Sequence, residues 1–296
     1  MYSIVTTCMN RGHHLRQTLP QWLSLQFVDE IVITDWSSAE AVSDLRLLDS
    51  RVHVVRVEDE PVWTQTLPTN LAFAHAHGDV ILKADADCFL DHAIASYLPD
   101  ARRFYAGNWR SGAPLGKNCV NGQCILTRAQ FDVVNGYSEL LRKYAYDDED
   151  LYHRLESSGF ERCELPPHLL DFVPHTDDDR LANFKAKPEA TTVDEFLELQ
   201  LKSHELRNIY IARAQPWGPQ LQRARYEILH TEDRLTVVRR IPGSDAQVSA
   251  SILAAARLES MRHVAVTALG VPAAVAKTLD VAACEQLLQQ QLTGSD

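Results

Sequence analysis

The chain has 296 residues, 45% of them apolar and 23% charged, a balance that suits a globular protein and excludes a disordered or fibrous one. Its formal charge of -11 repels phosphate backbones and anionic headgroups, so nucleic acid is not an expected partner. No apolar run approaches the ~18 residues of a membrane helix, and Met1 leads into YSIVTT without a basic stretch and apolar h-region, so the expected location is the cytoplasm.

The first element is a β-branched run, YSIVTTC. Next, NRGHHLRQTLPQWLSL carries Leu15, Leu19, Trp22 and Leu23 at helical spacing. DEIVITD reads as a second strand, SSAEAVSDLRLL as a serine-capped helix and RVHVVRV as a third strand. After EDEPVWTQTLP, read as a loop, TNLAFAHAHG predicts a helix closed by Gly78, and DVILKAD is an apolar strand with polar flanks. Alternation of this kind predicts an α/β protein with a mainly parallel, Rossmann-like sheet flanked by helices, binding its ligand at the carboxyl edge of the strands.

RRFYAGNW and NCVNGQCILTRAQFDVVNGY predict further strands and a short helix, and DEFLELQLKSHELRNIYIARA a long amphipathic helix. Beyond RRIPGSD the sequence turns alanine-rich and helical, which sets a boundary near Pro242–Gly243: a main domain over 1–240 and a helical region over 244–296 suited to packing or self-association, hence a possible homo-oligomer. Cys8, Cys88, Cys119, Cys124, Cys163 and Cys284 form no CxxC pair and read as small buried apolar residues.

Two acidic clusters carry the chemistry. Asp85 and Asp87 stand at i and i+2 where the strand DVILKAD opens into a loop, and such paired carboxylates suit Mg2+ or Mn2+ together with a substrate diphosphate. Turn formation explains a lone DxD equally well. The run DDED in YDDEDLYHRL opens a helix, where the macrodipole favours acids. Adjacent like charges repel, so the dipole accounts for one or two acids, and a further one facing a cleft can serve as general base.

The order SIVTTCMNR, EIVITDWSS, PTNLAFAHAHGDVILKADAD, NGY, YAYDDEDLYHRL and VPHTDDDR resembles a GT-A glycosyltransferase, family 2-like and similar to the β-1,4-galactosyltransferase group, over roughly residues 2–180. The resemblance implies that Asp87 binds Mn2+ or Mg2+ with Asp85 as its partner toward the donor and His175 completing the metal site. It implies Asp148 as the base that deprotonates the acceptor hydroxyl, Asp147 as the acid before it, and Asp150 as a structural residue paired with Arg154. It also implies a UDP-sugar donor, a saccharide or other hydroxyl acceptor and inversion at the anomeric carbon, with galactose, N-acetylgalactosamine and glucose as the ordered sugar candidates.

The donor's base and ribose would meet Thr6, Thr7, Asn10, Arg11 and Asp35, with Trp36, which replaces a second aspartate, stacking on uracil. Asn70 follows Thr69 where relatives carry an arginine, so Arg11, Lys83 or Lys117 would meet the diphosphate instead. Trp63, Trp109, Tyr144 and Tyr146 are either sugar platforms or core. A metal-dependent nucleotidyltransferase and a non-catalytic nucleotide-sugar-binding protein are the alternatives; the former wants a glycine-rich basic loop that TTCMNRGHHL, with one glycine, does not offer.

Overall fold

A computed structural model describes residues 1–142, 145–176, 178–179, 193–267 and 269–293. By contacts the chain divides into two compact units: residues 1–139, 148–174 and 218–246 form the first, and 140–147, 175–217 and 247–296 the second. The sequence suggested a single boundary near Pro242–Gly243, whereas contacts gather chain from both sides of that point into each unit.

The first unit holds a nine-stranded sheet among the described residues, in the order β10-β11-β3-β2-β1-β4-β7-β6-β8. The strands are β1 (Tyr2–Cys8), β2 (Glu30–Trp36), β3 (Val52–Glu58), β4 (Val80–Lys83), β6 (Arg103–Ala106), β7 (Cys124–Thr127), β8 (Glu161–Glu164), β10 (Tyr226–Glu232) and β11 (Leu235–Arg240). β5 (Cys88–Leu90) pairs with β9 (Leu170–Phe172) in a separate ribbon. β11, β3, β2, β1 and β4 run parallel, and β7 turns antiparallel beside β4. Every residue of β1 and β2 is buried, as expected of parallel strands covered on both faces.

Side chains alternate between two cores. Ile4, Ile31 and Ile33 pack with Leu15, Leu19 and Trp22 of α1 (Gly12–Ser24). Val5 and Val32 face the other way, onto Leu67 and Phe73 of α2 (Thr66–His75) and Leu151, Tyr152 and Leu155 of α5 (Asp147–Ser157). Between these helices come α3 (Trp109–Gly112) and α4 (Arg128–Val133), the latter closed by a capping box from Thr127 and Gln130.

Three local readings change. The expected helix in SSAEAVSDLRLL is a 3-10 turn at Ser43–Leu47. Asp35 accepts hydrogen bonds from the N–H groups of Ser38 and Val42, and this wraps the incoming segment around a strand end. α2 starts at Thr66, inside the stretch read as loop, because Pro68 falls in the first turn, where a missing N–H costs nothing. Gly78 is not the helix closer: its N–H donates to Ser3 Oγ at 2.9 Å, and a Cβ there would lie 2.4 Å from that oxygen. All six cysteines are free thiols, and of these Cys119 is exposed and Cys163 half-buried rather than in the core.

The second unit is helical in its described part: α6 (Val193–Ala214), α7 (Ala250–Thr267), α8 (Ala273–Ala276) and α9 (Val281–Thr293). α6 and α9 both pack on α7, and the Arg262 guanidinium of α7 donates to the Leu279 carbonyl at 2.8 and 3.0 Å. Ala145 and Tyr146 have φ of 77° and 71°, a left-handed conformation that favours glycine. The amide of buried Asn208 donates to the Ala145 carbonyl at 2.8 Å and holds that strained pair. Among the described residues no helix is long and apolar enough to cross a membrane.

Candidate active site

β4 ends at Lys83, and the two aspartates follow at once, at the carboxyl edge of the sheet. Asp85 is clasped by Gln123: its N–H donates to Gln123 Oε1 at 2.8 Å, and Gln123 Nε2 donates to Asp85 Oδ2 at 2.9 Å. Lys83, almost fully buried, donates to Asp85 Oδ1 at 2.8 Å and to the Gly122 carbonyl at 2.6 Å. The same ammonium stands 3.6 Å from Asp148 Oδ1. One buried cation therefore joins the first acid of the DxD pair to an acid 63 positions further along (148 − 85). Burial works against the charge on Lys83, but Asp148 and Asp85 more than offset it and raise its pKa.

The acidic run at the head of α5 resolves into separate roles. Glu149 pairs with Arg162 at 2.9 Å and Asp150 with Arg154 at 2.7 Å. Arg154 also donates to the carbonyls of Val134 and Gly136, so the expected Asp150–Arg154 pair anchors the helix start to the NGY turn. Asp147 is buried at the first position of α5. Asp148 alone of Asp148, Glu149 and Asp150 has its basic partner on the DxD strand. Its Oδ1 also accepts from the Tyr137 hydroxyl at 2.9 Å. Burial raises the Asp148 pKa, and Lys83 and Tyr137 pull against that rise.

Tyr137 is set in place by Asn70. Its N–H donates to Asn70 Oδ1 at 2.8 Å, and Asn70 Nδ2 donates to the Tyr137 carbonyl and to Glu139 Oε1, both at 2.9 Å. Asn70 was expected at the donor; it is 3% exposed, with these bonds turned into the fold, so it supports Asp148 through Tyr137. Two further donor-side expectations also change. Trp36 has no exposed surface to offer a uracil, because it lies in the core with Nε1 donating to the Val62 carbonyl. Asp35 is fully buried, bound by two backbone N–H groups and by Arg56 at 2.7 Å.

Thr6, Thr7, Asn10 and Arg11 lie at or just beyond the carboxyl end of β1. Thr6 Oγ1 is buried and has no hydrogen-bond partner among the described residues. Asn10, at φ 59°, accepts from the Ala39 N–H and shapes the turn. Lys117 binds the Leu170 carbonyl and lies 3.8 Å from Asp171, which leaves Lys83 and Arg11 as the cations nearer the strand ends. Trp63 packs against the core, Trp109 is 47% exposed, and Tyr144 lies outside the described residues. A cleft of about 810 Å³ lined by Gln21, Phe27, Phe89, Lys117, Leu170 and Asp171 contains none of Asp85, Asp87, Asp147 and Asp148.

Asp87 is half-buried, and one of its carboxylate oxygens lies within 4.8 Å of a ring nitrogen of buried His14. Two ligands of one cation with bonds of ~2.1 Å stand about 3 to 4 Å apart, so this oxygen and nitrogen fit a divalent ion after a small closure. Sequence reasoning placed His14 within the first helix and gave it no role. His175 belongs to the second unit, and its place in a metal set stays what motif order implies.

Residues 109–177 match a family model described as the N-terminal domain of galactosyltransferase. Among solved structures, mannosyltransferase PcManGT from Pyrobaculum calidifontis in complex with GDP-Man and Mn2+ is 13% identical, covers 100% of this chain and 88% of that one, and superposes with a TM-score of 0.53. The catalytic domain of Drosophila β1,4-galactosyltransferase 7 in complex with xylobiose is 14% identical over 81% of this chain and 92% of that one, with a TM-score of 0.47. Glucosyl-3-phosphoglycerate synthase from Mycobacterium tuberculosis, with Mn2+, UDP and glucosyl-3-phosphoglycerate, gives 14%, 77%, 84% and 0.44 in the same order. A comparison with curated protein sequences returned no match. The chain thus has the GT-A glycosyltransferase fold, with galactosyltransferase-type sequence in the stretch that carries Asp148.

Proposed function

We propose that the protein is a metal-dependent, inverting glycosyltransferase that moves a hexose or N-acetylhexosamine from a UDP-sugar to an acceptor hydroxyl, with a saccharide as the favoured acceptor. The observation that carries this reading is the meeting of Asp85 and Asp148 on Lys83 Nζ, at 2.8 and 3.6 Å. It supports reading Asp148 as the base and Asp85 as its neighbour on the donor side.

Asp148 takes the acceptor's proton. Among the described residues its hydrogen bond and its ion pair both fall on Oδ1, so Oδ2 is the oxygen that receives it. A base works best with a proton affinity near the working pH. Burial raises that of Asp148, while Lys83 and Tyr137 keep the carboxylate available. The acceptor oxygen then bonds to the anomeric carbon as the carbon–oxygen bond to the diphosphate breaks, and the electron pair leaves with UDP. Asp87 would hold the divalent cation, which when bound would supply neutralisation of charge on the departing diphosphate. With base and leaving group on opposite faces of the sugar, the configuration inverts. UDP and galactose rest on the resemblance and on the galactosyltransferase-type segment.

The test is a panel of sugar nucleotides with Mn2+ or Mg2+, scored for nucleotide release by the wild-type chain and by Asp148→Asn. One donor should turn over, and Asp148→Asn should bind it unchanged by calorimetry while turnover falls ~10²–10⁴-fold. Wild-type rates in the Asn variant would remove Asp148 from the mechanism.

A further inference from the structure

α1 is bound to the segment that carries Asp87. Thr18 Oγ1 donates to the Ala86 carbonyl at 2.8 Å, and Trp22 Nε1 donates to the Cys88 carbonyl at 2.8 Å. Gln21 exchanges two hydrogen bonds with the backbone of Leu90, as donor through Nε2 and as acceptor through Oε1. Helix and segment thus run past each other in fixed register, with residues 18 to 22 of one beside residues 86 to 90 of the other.

His14 is the next member of the stripe one turn above Thr18, at i and i+4, and residues at this spacing share a helix face. Like Thr18 and Trp22, at 0% exposure, His14 is buried, at 2%. A ring nitrogen of its imidazole lies within 4.8 Å of a carboxylate oxygen of Asp87.

We infer that His14 is a ligand of the divalent cation at Asp87, so that α1 as well as the β4 edge builds the metal site. This rests on the reading of Asp87 as a cation ligand. A nitrogen ligand beside carboxylate oxygen suits Mn2+ and tilts the site away from Mg2+, which prefers an all-oxygen shell. The hydrogen bonds from Thr18, Gln21 and Trp22 hold α1 against the segment that carries Asp87 before the ion arrives.

The measurement is Mn2+ binding to the full chain without donor, followed by the loss of the free-ion electron paramagnetic resonance signal, together with pulsed detection of 14N coupled to bound Mn2+. Wild type should bind Mn2+ and show imidazole 14N coupling, His14→Gln should weaken binding at least ~10-fold and diminish that coupling, and Asp87→Ala should abolish binding. If Asp87→Ala loses the ion while His14→Gln keeps both affinity and coupling, His14 is no ligand and the cation reading of Asp87 stands. If Asp87→Ala binds Mn2+ as wild type does, both fall. Should His14→Gln fail to fold, His175→Gln separates the two imidazoles: bound Mn2+ that keeps its 14N coupling in that variant supports the inference, and coupling that vanishes with His175 overturns it.

Discussion

Gly122 shows how narrow the tolerances are around the acids. A Cβ there would lie 2.6 Å from Asp85 Oδ2 and 3.1 Å from Lys83 Nζ, so any larger residue pushes the carboxylate off Gln123 and the ammonium. Asp85 keeps about a third of its side chain exposed and can swing away without unfolding the chain. Gly122→Ala should therefore leave the melting temperature within a few degrees of wild type yet weaken donor binding by calorimetry at least ~10-fold; unchanged donor affinity would show that Asp85 does not touch the donor. The acids were visible in the sequence as candidates, because one pair marks the lip of an apolar strand and the other cluster exceeds what a helix start calls for. Their neighbours were not. Asp35, Trp36 and Asn70 sit in the right motifs, but whether a side chain points to ligand or core is decided by packing from distant segments, such as Tyr137 on Asn70. His14 was given no role for the converse reason: its meeting with Asp87 depends on how α1 docks on the segment after β4, which no local pattern encodes.

At the scale of elements, β1, β2 and the turn before β4 are joined by one buried carboxylate. Glu30 opens β2 and accepts from Ser3 Oγ at 2.6 Å and from the His77 N–H at 2.8 Å, with His77 Nδ1 at 2.7 Å. Burial works against its charge, but His77 and Ser3 more than offset this and hold the carboxyl below its ordinary pKa. A depressed folded-state pKa contributes stability at pH values above the unfolded value near ~4.3, and that contribution is lost as pH falls through the folded value. Glu30→Gln should accordingly cost about 1–3 kcal/mol at pH 7 in urea unfolding, with the gap to wild type closing below about pH 4. A gap that stayed constant with pH would assign the cost to shape and not to charge. Strands and long helices were readable here because their apolar period survives in the sequence. The 3-10 turn after β2 and the early start of α2 were not, since each depends on a single placement, Asp35 below one and Pro68 inside the other.

For the whole molecule, each unit is assembled from separated stretches of chain, and this was the feature least visible in composition. The alanine-rich tail announced helices correctly, but nothing local says that residues 218–246 return to the sheet. They do so through β11, which pairs in parallel with β3, Val238 opposite Val57 and Val54 opposite Leu235. The consequence falls on biogenesis. A nascent chain exposes the β3 edge for the time needed to make nearly 180 more residues, from Glu58 to Leu235, and contacts so distant in sequence are slow to close. Until they close, an open edge rich in valine invites pairing with other chains. A chain ended after residue 217 should therefore precipitate on release from the ribosome, whereas one ended after residue 246 should keep its sheet in solution, a contrast that sedimentation of translation products reads directly.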